Sequence, residues 1–250
     1  MKKYELTNET IKVVGLMGHT LYRIRALYDF NDVKQGDLGG FVESEDNLSH
    51  EGNCWVYDDA KVYNIAKIFG NAVVFQNAEV FDNAQVFGSA RVYGNARIFG
   101  DGWIYDDARI FGNALVYGNA RIFENTEVAG ISRVFGNAEV FGDAKVYDRA
   151  MIYGSAQVYK TAQVHGNAEI CGDARIRLIS DYIVFKNWWS SGRFFTWTRS
   201  NNMWKEGCFY GTDIELIANA YKDSNESSRE YLRVVRYVKS ILEDAGNWNF

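Results

Sequence analysis

A Val or Ile stands at every sixth residue from Val56 to Ile176 without a miss. Nothing else in the chain restricts its folding as tightly. Two residues before each beat sits a small residue, Ala in most units and Cys54, Gly102, Thr126 or Ser132 in the others. One residue after the beat comes Phe or Tyr in 17 of 21 units, followed by pairs such as Gly-Asn, Gly-Asp or Asp-Asp. The unit reads Ala-x-Val-Phe/Tyr-Gly-Asn.

Side chains alternate across a strand, so Ala and Val share one side while x and the aromatic share the other. The x positions carry Lys61, Lys67, Glu79, Arg91, Arg97, Arg109, Arg121, Glu127, Arg133, Glu139 and Lys145, which marks their side as the wet one. Ala and Val therefore face inward. Gly has no Cβ, and Asn or Asp enters the left-handed region more easily than most residues, so each Gly-Asn pair predicts a corner. Short strands at a six-residue period, separated by corners, predict a hexapeptide β-helix. Three units close a triangular rung of 18 residues, so 54–177 supplies about seven rungs. At about 4.8 Å per rung the prism is roughly 30 Å long. Ala two residues from Val keeps its narrow interior from being overfilled.

The repeat closely resembles the left-handed β-helix hexapeptide-repeat family, and the left hand is implied by that resemblance alone. It is an exception to the right-handed crossover rule. Asp29, Phe30 and Gly39-Gly40-Phe41-Val42, with Asn53-Cys54-Trp55-Val56-Tyr57-Asp58, resemble the entry module of uncharacterised bacterial and phage-borne hexapeptide-repeat proteins. Gly207-Cys208-Phe209-Tyr210-Gly211-Thr212 and the two helices expected after it resemble a C-terminal cassette of phage and prophage proteins of this kind. Neither likeness implies an activity.

A solenoid needs capped ends to avoid end-to-end strand pairing. Residues 1–53 are read as an N-terminal β cap, with strands over Ile11 to Leu16 and Thr20 to Tyr28 and a turn-rich connection from Asn31 to Gly40. Residues 178–250 are read as a small C-terminal α+β module. Its expected strands are Asp181 to Asn187, Arg193 to Arg199 and Met203 to Phe209. Thr212-Asp-Ile-Glu215 has the form of a capping box. A second helix follows from about Glu226 to Glu243, ending near Gly246. The fold expected is thus an all-β solenoid, a left-handed parallel β-helix with terminal additions.

The opening Met1-Lys-Lys-Tyr-Glu is unlike a signal peptide, and no stretch is apolar for long enough to span a membrane, so a cytoplasmic protein is expected. A net charge of −5 makes nucleic acid an unexpected partner. Cys54, Cys171 and Cys208 have neither metal spacing nor an even framework, and Cys54 falls at an inward position. The chain has no Pro at all, leaving the corners to Gly, Asn and Asp.

Resemblance to hexapeptide acyltransferases would imply a His base acting on a substrate bound beside acetyl-CoA or another acyl-CoA. Of His19, His50 and His165, only His165 lies on the coil, where it replaces an aromatic. A carbonic anhydrase of this fold would need three His ligands, and two of the three here lie off the coil. Corner Asp residues such as Asp59, Asp101, Asp107, Asp143 and Asp173 are read as turn formers. No metal site is expected, and no cofactor outside the acyltransferase alternative. Two features weigh against an enzyme: no loop interrupts residues 56–176 to wall a site, and the residue after the aliphatic is aromatic where such enzymes commonly carry a small one.

Taking every eighteenth residue orders the aromatics into three outward ladders. One holds Tyr57, Phe75, Tyr93, Phe111, Ala129, Tyr147 and His165. The second holds Tyr63, Phe81, Phe99, Tyr117, Phe135, Tyr153 and Cys171. The third holds Phe69, Phe87, Tyr105, Phe123, Phe141, Tyr159 and Arg177. So much outward apolar surface predicts a cover, by self-association as a dimer or trimer or by a foreign host or phage protein. Ala129, followed by Ile131 and Ser132, would leave a notch one side chain wide. The function expected is a non-catalytic scaffold or protein-interaction role, for which the resemblance of the flanks suggests a phage or prophage origin and inhibition of a host factor. The alternative is a CoA-dependent acyltransferase with His165 as base.

Overall fold

In the computed structural model, which describes residues 1–13 and 18–246, each x-Val pair is a two-residue strand. Three strands precede the repeat: β1 (Tyr4–Val13), β2 (His19–Ala26) and β3 (Leu38–Val42). Strands β4 (Trp55–Val56) through β24 (Arg175–Ile176) then follow at six-residue intervals. Residues 18 apart pair in parallel, as in Arg91 with Arg109 and Val92 with Ile110. Three parallel stacks result, and they enclose one prism. Every Val or Ile of the clock is at most 1% exposed. The small residues two places earlier are equally buried, with Thr126 and Ser132 turning their hydroxyls back to the carbonyls of Phe123 and Ala129 at 2.8 and 2.7 Å.

The corners have the backbone that the Gly-Asn pairs predict. The first residue of each pair lies in the left-handed region, whether Gly (Gly118, φ 68°) or not (Asp58, φ 53°; Gln76, φ 59°; Lys160, φ 56°). The reason for Gly is partly proximity, since a Cβ on Gly118 would stand 3.0 Å from the nitrogen of Gly136 on the next turn. Where a polar residue occupies the corner instead, it uses that closeness. Asp58 Oδ2 accepts from Gln76 N at 2.9 Å, Gln76 Oε1 from Gly94 N at 2.8 Å, and Asp148 Oδ2 from Gly166 N at 3.0 Å. At the second corner residue, Asn side chains chain from turn to turn, as in Asn119 to Asn137 at 2.9 Å.

The solenoid begins earlier than residue 54. Phe41 and Val42 of β3 pair in parallel with Lys61 and Val62, and Leu48 bridges to Ile68, so the coil has about eight turns. The extra turn escapes the six-residue clock because eight residues, not six, separate Leu48 from Val56. Gly39 and Gly40, expected in a turn-rich connection, belong to β3 and are buried. A Cβ on either would come within 2.6 Å of a carbonyl oxygen, of Val56 or Ala60 respectively, so the close approach requires Gly. Ile11 to Val13 of the first expected strand lie in β1, while Val14 to Leu16 fall outside the described residues.

Each rung donates N–H groups to the next, for example Lys61 N to Ala78 O at 2.9 Å and Tyr63 N to Val80 O at 3.1 Å. The first turn is therefore left with carbonyls facing outward along the axis, and the last with N–H groups. The N-terminal cap supplies donors. Phe41, Glu43 and Ser49 N–H groups reach the carbonyls of Ala60, Val62 and Ile68. Asn47 Nδ2 donates to Asn64 and Ala66 carbonyls at 2.9 Å each, and the fully buried Lys3 ammonium donates to Cys54 O at 2.8 Å.

The C-terminal module supplies acceptors. It comprises an antiparallel sheet of β25 (Tyr182–Lys186), β26 (Phe194–Thr198), β27 (Met203–Glu206) and β28 (Phe209–Gly211), followed by α1 (Asp213–Asp223) and α2 (Asn225–Gly246). The single strand expected over Met203 to Phe209 is a hairpin, with Gly207 at φ 51° in its turn. Thr212 and Glu215 cap α1 reciprocally, as the capping box predicts. The module has a core of its own in which Phe195, Trp197 and Trp204 meet Leu216, Tyr231 and Val235. Against the last turn, Thr196 Oγ1 accepts from Glu169 N at 3.0 Å, Ser200 Oγ from Arg175 N at 2.7 Å, and Tyr182 Oη from His165 N at 3.3 Å. Asp181 Oδ2 accepts from both Arg177 N and Leu178 N, at 2.7 and 2.9 Å.

Two stability outcomes are expected. Gly118→Ala should destabilise by about 1–2 kcal/mol through its φ and its contact with Gly136, whereas Lys160→Gly should be neutral or stabilising by up to about 1 kcal/mol. Equal thermal shifts for the two would contradict this account of the corners. Thr196→Val keeps the shape and removes the acceptor for Glu169 N–H, with an expected loss of about 1–3 kcal/mol. Calorimetry showing no change would mean that the module does not cap the coil through this bond.

Candidate interaction surface

The three outward ladders form, and their rings stack turn upon turn. From Tyr63 through Phe81, Phe99, Tyr117 and Phe135 to Tyr153, neighbouring centroids are 4.8–5.0 Å apart with planes within 5°. From Phe69 through Phe87, Tyr105, Phe123 and Phe141 to Tyr159, they are 4.8–5.2 Å apart and within 11°. These separations are the strand spacing of a sheet, so the backbone sets the stack. Each stacked aromatic pair adds about 0.5–1.5 kcal/mol beyond its area.

Stacking changes how much of the rings faces water. Every ladder aromatic is half-buried, apart from Tyr63, which is buried under the cap. Charged x residues cover part of the remainder. The Arg97 guanidinium lies 5.1 Å from the Phe81 centroid and 5.9 Å from that of Phe99, and Arg121 lies 5.3 Å from Trp103. The same charges pair between rungs, with Glu79 held between Lys61 and Arg97 at 3.2 and 3.1 Å. Stacking and these charged stems reduce the apolar surface that each ring leaves to water.

The first ladder is the one that breaks. Phe75, Tyr93 and Phe111 stack, as do Tyr147 and His165, but Ala129 separates the two groups. Tyr57, at the start, turns its hydroxyl to Asp32 at 2.7 Å. Beside Ala129, the corner column that holds Asn77, Asn95 and Asn113 turns to Ile131 and Arg149, and Ile131 is 46% exposed. A groove of about 490 Å³ runs along these corners, lined by Asn113, Gly130, Ile131, Asp148 and Arg149 among others. A second of about 470 Å³ shares Ile131, Arg149 and Asn167 with it and continues to the C-terminal module, reaching Arg133, Arg193 and Phe194. Ala129 and Ile131 carry a sequence signal, being departures from the repeat. Arg149 gives the same signal, since it replaces Asn in its column. Arg193 and Phe194 give none, because the docking of the module alone brings them here.

The histidines divide as the sequence suggests. His19 Nδ1 is 2.8 Å from Glu43 Oε1 and its ring packs on Tyr63, while His50 packs against Tyr4 with its Nδ1 accepting from Lys3 N at 3.2 Å. Both belong to the N-terminal cap. His165 stacks on Tyr147 at 5.0 Å and 11°, so it holds the ladder position of an aromatic ring. Among the described residues no carboxylate orients its imidazole. Cys54 and Cys171 are buried and Cys208 is exposed. Among the described residues no three His, Cys, Asp or Glu side chains converge to hold a metal, and no helix is long and apolar enough to cross a membrane.

Residues 90–106, 108–124 and 144–160 match the family described as the YdcK beta solenoid repeat. The matched segments agree with the parallel stacking of the strands. The chain is a β-helix repeat protein. Over 63 residues the chain is 43% identical to an Escherichia coli (strain K12) protein described as the uncharacterised acetyltransferase YdcK. That stretch is 23% of this chain and spans 19% of the length of the relative.

Burial also fixes an alkaline limit for the β-helix. Burial pushes the Tyr63 phenol up to about 12, assisted by the Glu79 charge, and raises the Cys54 and Cys171 thiols. A folded-state pKa above the unfolded one gives stability that is full below the unfolded value and is lost as pH rises through the folded one. Stability should therefore fall progressively from about pH 9–10 upward to about pH 12. A Tyr63→Phe variant should show a shallower decline, as read from thermal midpoints across that range. An identical decline in the two proteins would exclude Tyr63 from the effect.

Proposed function

We propose that this β-helix is a non-catalytic scaffold that presents a rigid surface for protein interaction. The observation carrying this reading is the uninterrupted coil. From Val56 to Ile176 the strands follow one another at six-residue intervals with no insertion, and no loop rises between them to wall a reaction site. Several departures from that regularity adjoin one another around Ala129 and Ile131, which suits a binding surface. Partners of two kinds fit the reading, a second copy of the chain or a foreign protein. Inhibition of a host factor is one form of it, resting on the likeness of the flanking segments to phage-borne proteins.

A CoA-dependent acyltransferase is the second reading, favoured by the description of the Escherichia coli relative. Its base would be His165, whose half-buried ring lies at the end of the broken ladder and whose backbone N–H donates to Tyr182 Oη. A general base must stand within hydrogen-bond reach of the proton it removes. Stacked on Tyr147, the imidazole presents only its edge for that purpose.

Calorimetric titration with acetyl-CoA, followed by turnover assays with amine and hydroxyl acceptors, separates the two. The scaffold reading expects no turnover and no difference between the wild-type chain and His165→Ala. Acetyl transfer that His165→Ala abolishes would replace it with the acyltransferase.

A further inference from the structure

The repeat supplies its own internal standard, because each position recurs on up to seven rungs and its default residue is visible in the neighbours. Against that standard the strongest cluster of departures lies on the fifth and sixth rungs of one edge. Ala129 stands where the ladder has a ring, Ile131 and Arg149 stand where the corner has Asn, and Ser132 stands where the core has Ala. Each change gives up something the default provides. Losing the ring leaves Phe111 and Tyr147 unstacked across the gap, and Ile131 exposes apolar surface that Asn would not. Ala129, Ile131 and Ser132 are close neighbours in the chain, and Ile131 and Arg149 line two connected grooves that end at the docked module.

The chemistry of these grooves is asymmetric. Arg133, Arg149 and Arg193 have no ion-pair partner among the described residues, in a chain whose net charge is −5. The two acids present are already engaged. Asp148 accepts the Gly166 N–H at 3.0 Å, and Glu169 faces Lys205 at 3.8 Å and the Tyr153 hydroxyl at 3.4 Å. Ile131, Met151 and Phe194 add apolar surface between the guanidiniums. The first groove crosses the four corners at Gly112, Gly130, Asp148 and Gly166, which at about 4.8 Å per rung is roughly 14 Å. An extended peptide of about four or five residues has that length. Both grooves are open along their course, which suits a chain passing through more than an enclosed small molecule.

From this we infer that the Ala129–Ile131 edge binds an extended acidic peptide segment of a protein partner. Its carboxylates meet Arg133, Arg149 and Arg193, and one aliphatic or aromatic side chain seats in the notch at Ala129 beside Ile131. The inference deepens the scaffold reading by naming its surface and the chemistry of its partner.

Fluorescence anisotropy tests it on the full chain, with a labelled seven-residue peptide of Asp and Glu carrying one central Leu. Arg149→Glu should weaken binding at least about tenfold, or about 1.4 kcal/mol. Ala129→Tyr restores the stack and fills the notch, so it should raise the melting temperature while weakening binding by a similar factor. Arg91→Glu, on another part of the coil, should leave binding unchanged. The same peptide with Lys in place of its acids should not bind. Failure of the wild-type chain to bind at millimolar peptide, equal binding by Arg149→Glu and Ala129→Tyr, or capture of a single-stranded oligonucleotide in preference to the peptide would each overturn the inference. Acetyl transfer dependent on His165 would overturn the scaffold reading without altering these peptide affinities, so the two failures are distinguishable.

Discussion

Parallel pairing between two-residue strands is the constraint on which the remainder of the structure depends. A pair of residues is too short to hold a strand by itself, so each rung is defined by the rungs above and below it. Coupling of this kind makes a solenoid nearly one-dimensional, with stability built from rung-to-rung terms. It also leaves two open ends whose backbone groups would otherwise pair with another chain. The two caps answer with opposite chemistry, as the backbone requires. Lys3 and Asn47, with the backbone N–H groups of Phe41, Glu43 and Ser49, donate to the first turns. Thr196, Ser200, Tyr182 and Asp181 accept from the last. The buried Lys3 is thereby explained. Burial lowers its pKa, and carbonyls rather than a carboxylate satisfy its ammonium.

The corners show a second balance. Gly lowers the cost of a positive φ, yet it loses the most chain entropy on folding and offers no side chain. Asp58, Gln76, Asp82 and Asp148 accept the conformational cost and recover a hydrogen bond to the next turn's backbone nitrogen. Both solutions occur along one edge without altering the rung spacing. That is why the sequence tolerates Gly, Asp, Asn and Gln at one position while keeping Val or Ile two residues earlier. The interior has no comparable freedom, because its width is set by Ala facing Val across a fully buried prism.

What could be read from the sequence follows from these constraints. Strand positions, the inward face, the corner backbone and the order of the three ladders are local consequences of a six-residue period, and all are legible in Ala-x-Val-Phe-Gly-Asn. The capping box of Thr212 and Glu215 is legible for the same reason, being local. The turn formed by Val42 and Leu48 was hidden by two extra residues before Val56, since periodicity detects spacing and not stacking. The hairpin around Gly207 is not legible in the sequence, because Met203 to Phe209 lacks a strong turn pair. In the candidate site, Ala129 and Ile131 were visible as departures from the repeat. Arg193 and Phe194 were not, because their arrival depends on how a separate module docks, and no local pattern encodes that.

The aromatic ladders illustrate how counting exposed residues can mislead when those residues touch one another. Read singly, outward Phe and Tyr on three faces demand a cover. Stacked at about 5 Å, each ring buries its faces against the rings above and below and leaves its edge to water and to the stems of residues such as Arg97. A ladder of this kind is thus an outer extension of the hydrogen-bond stack, held to the same spacing and reinforcing it. The informative surface is then the place where the ladder fails. A missing ring uncovers the faces of its two neighbours at once, which turns a stabilising column into a recess between apolar walls. At Ala129 that recess lies beside an exposed Ile131 and an Arg149 with no ion-pair partner among the described residues. Stability terms alone favour a ring and an Asn at those positions, as the rest of each column shows.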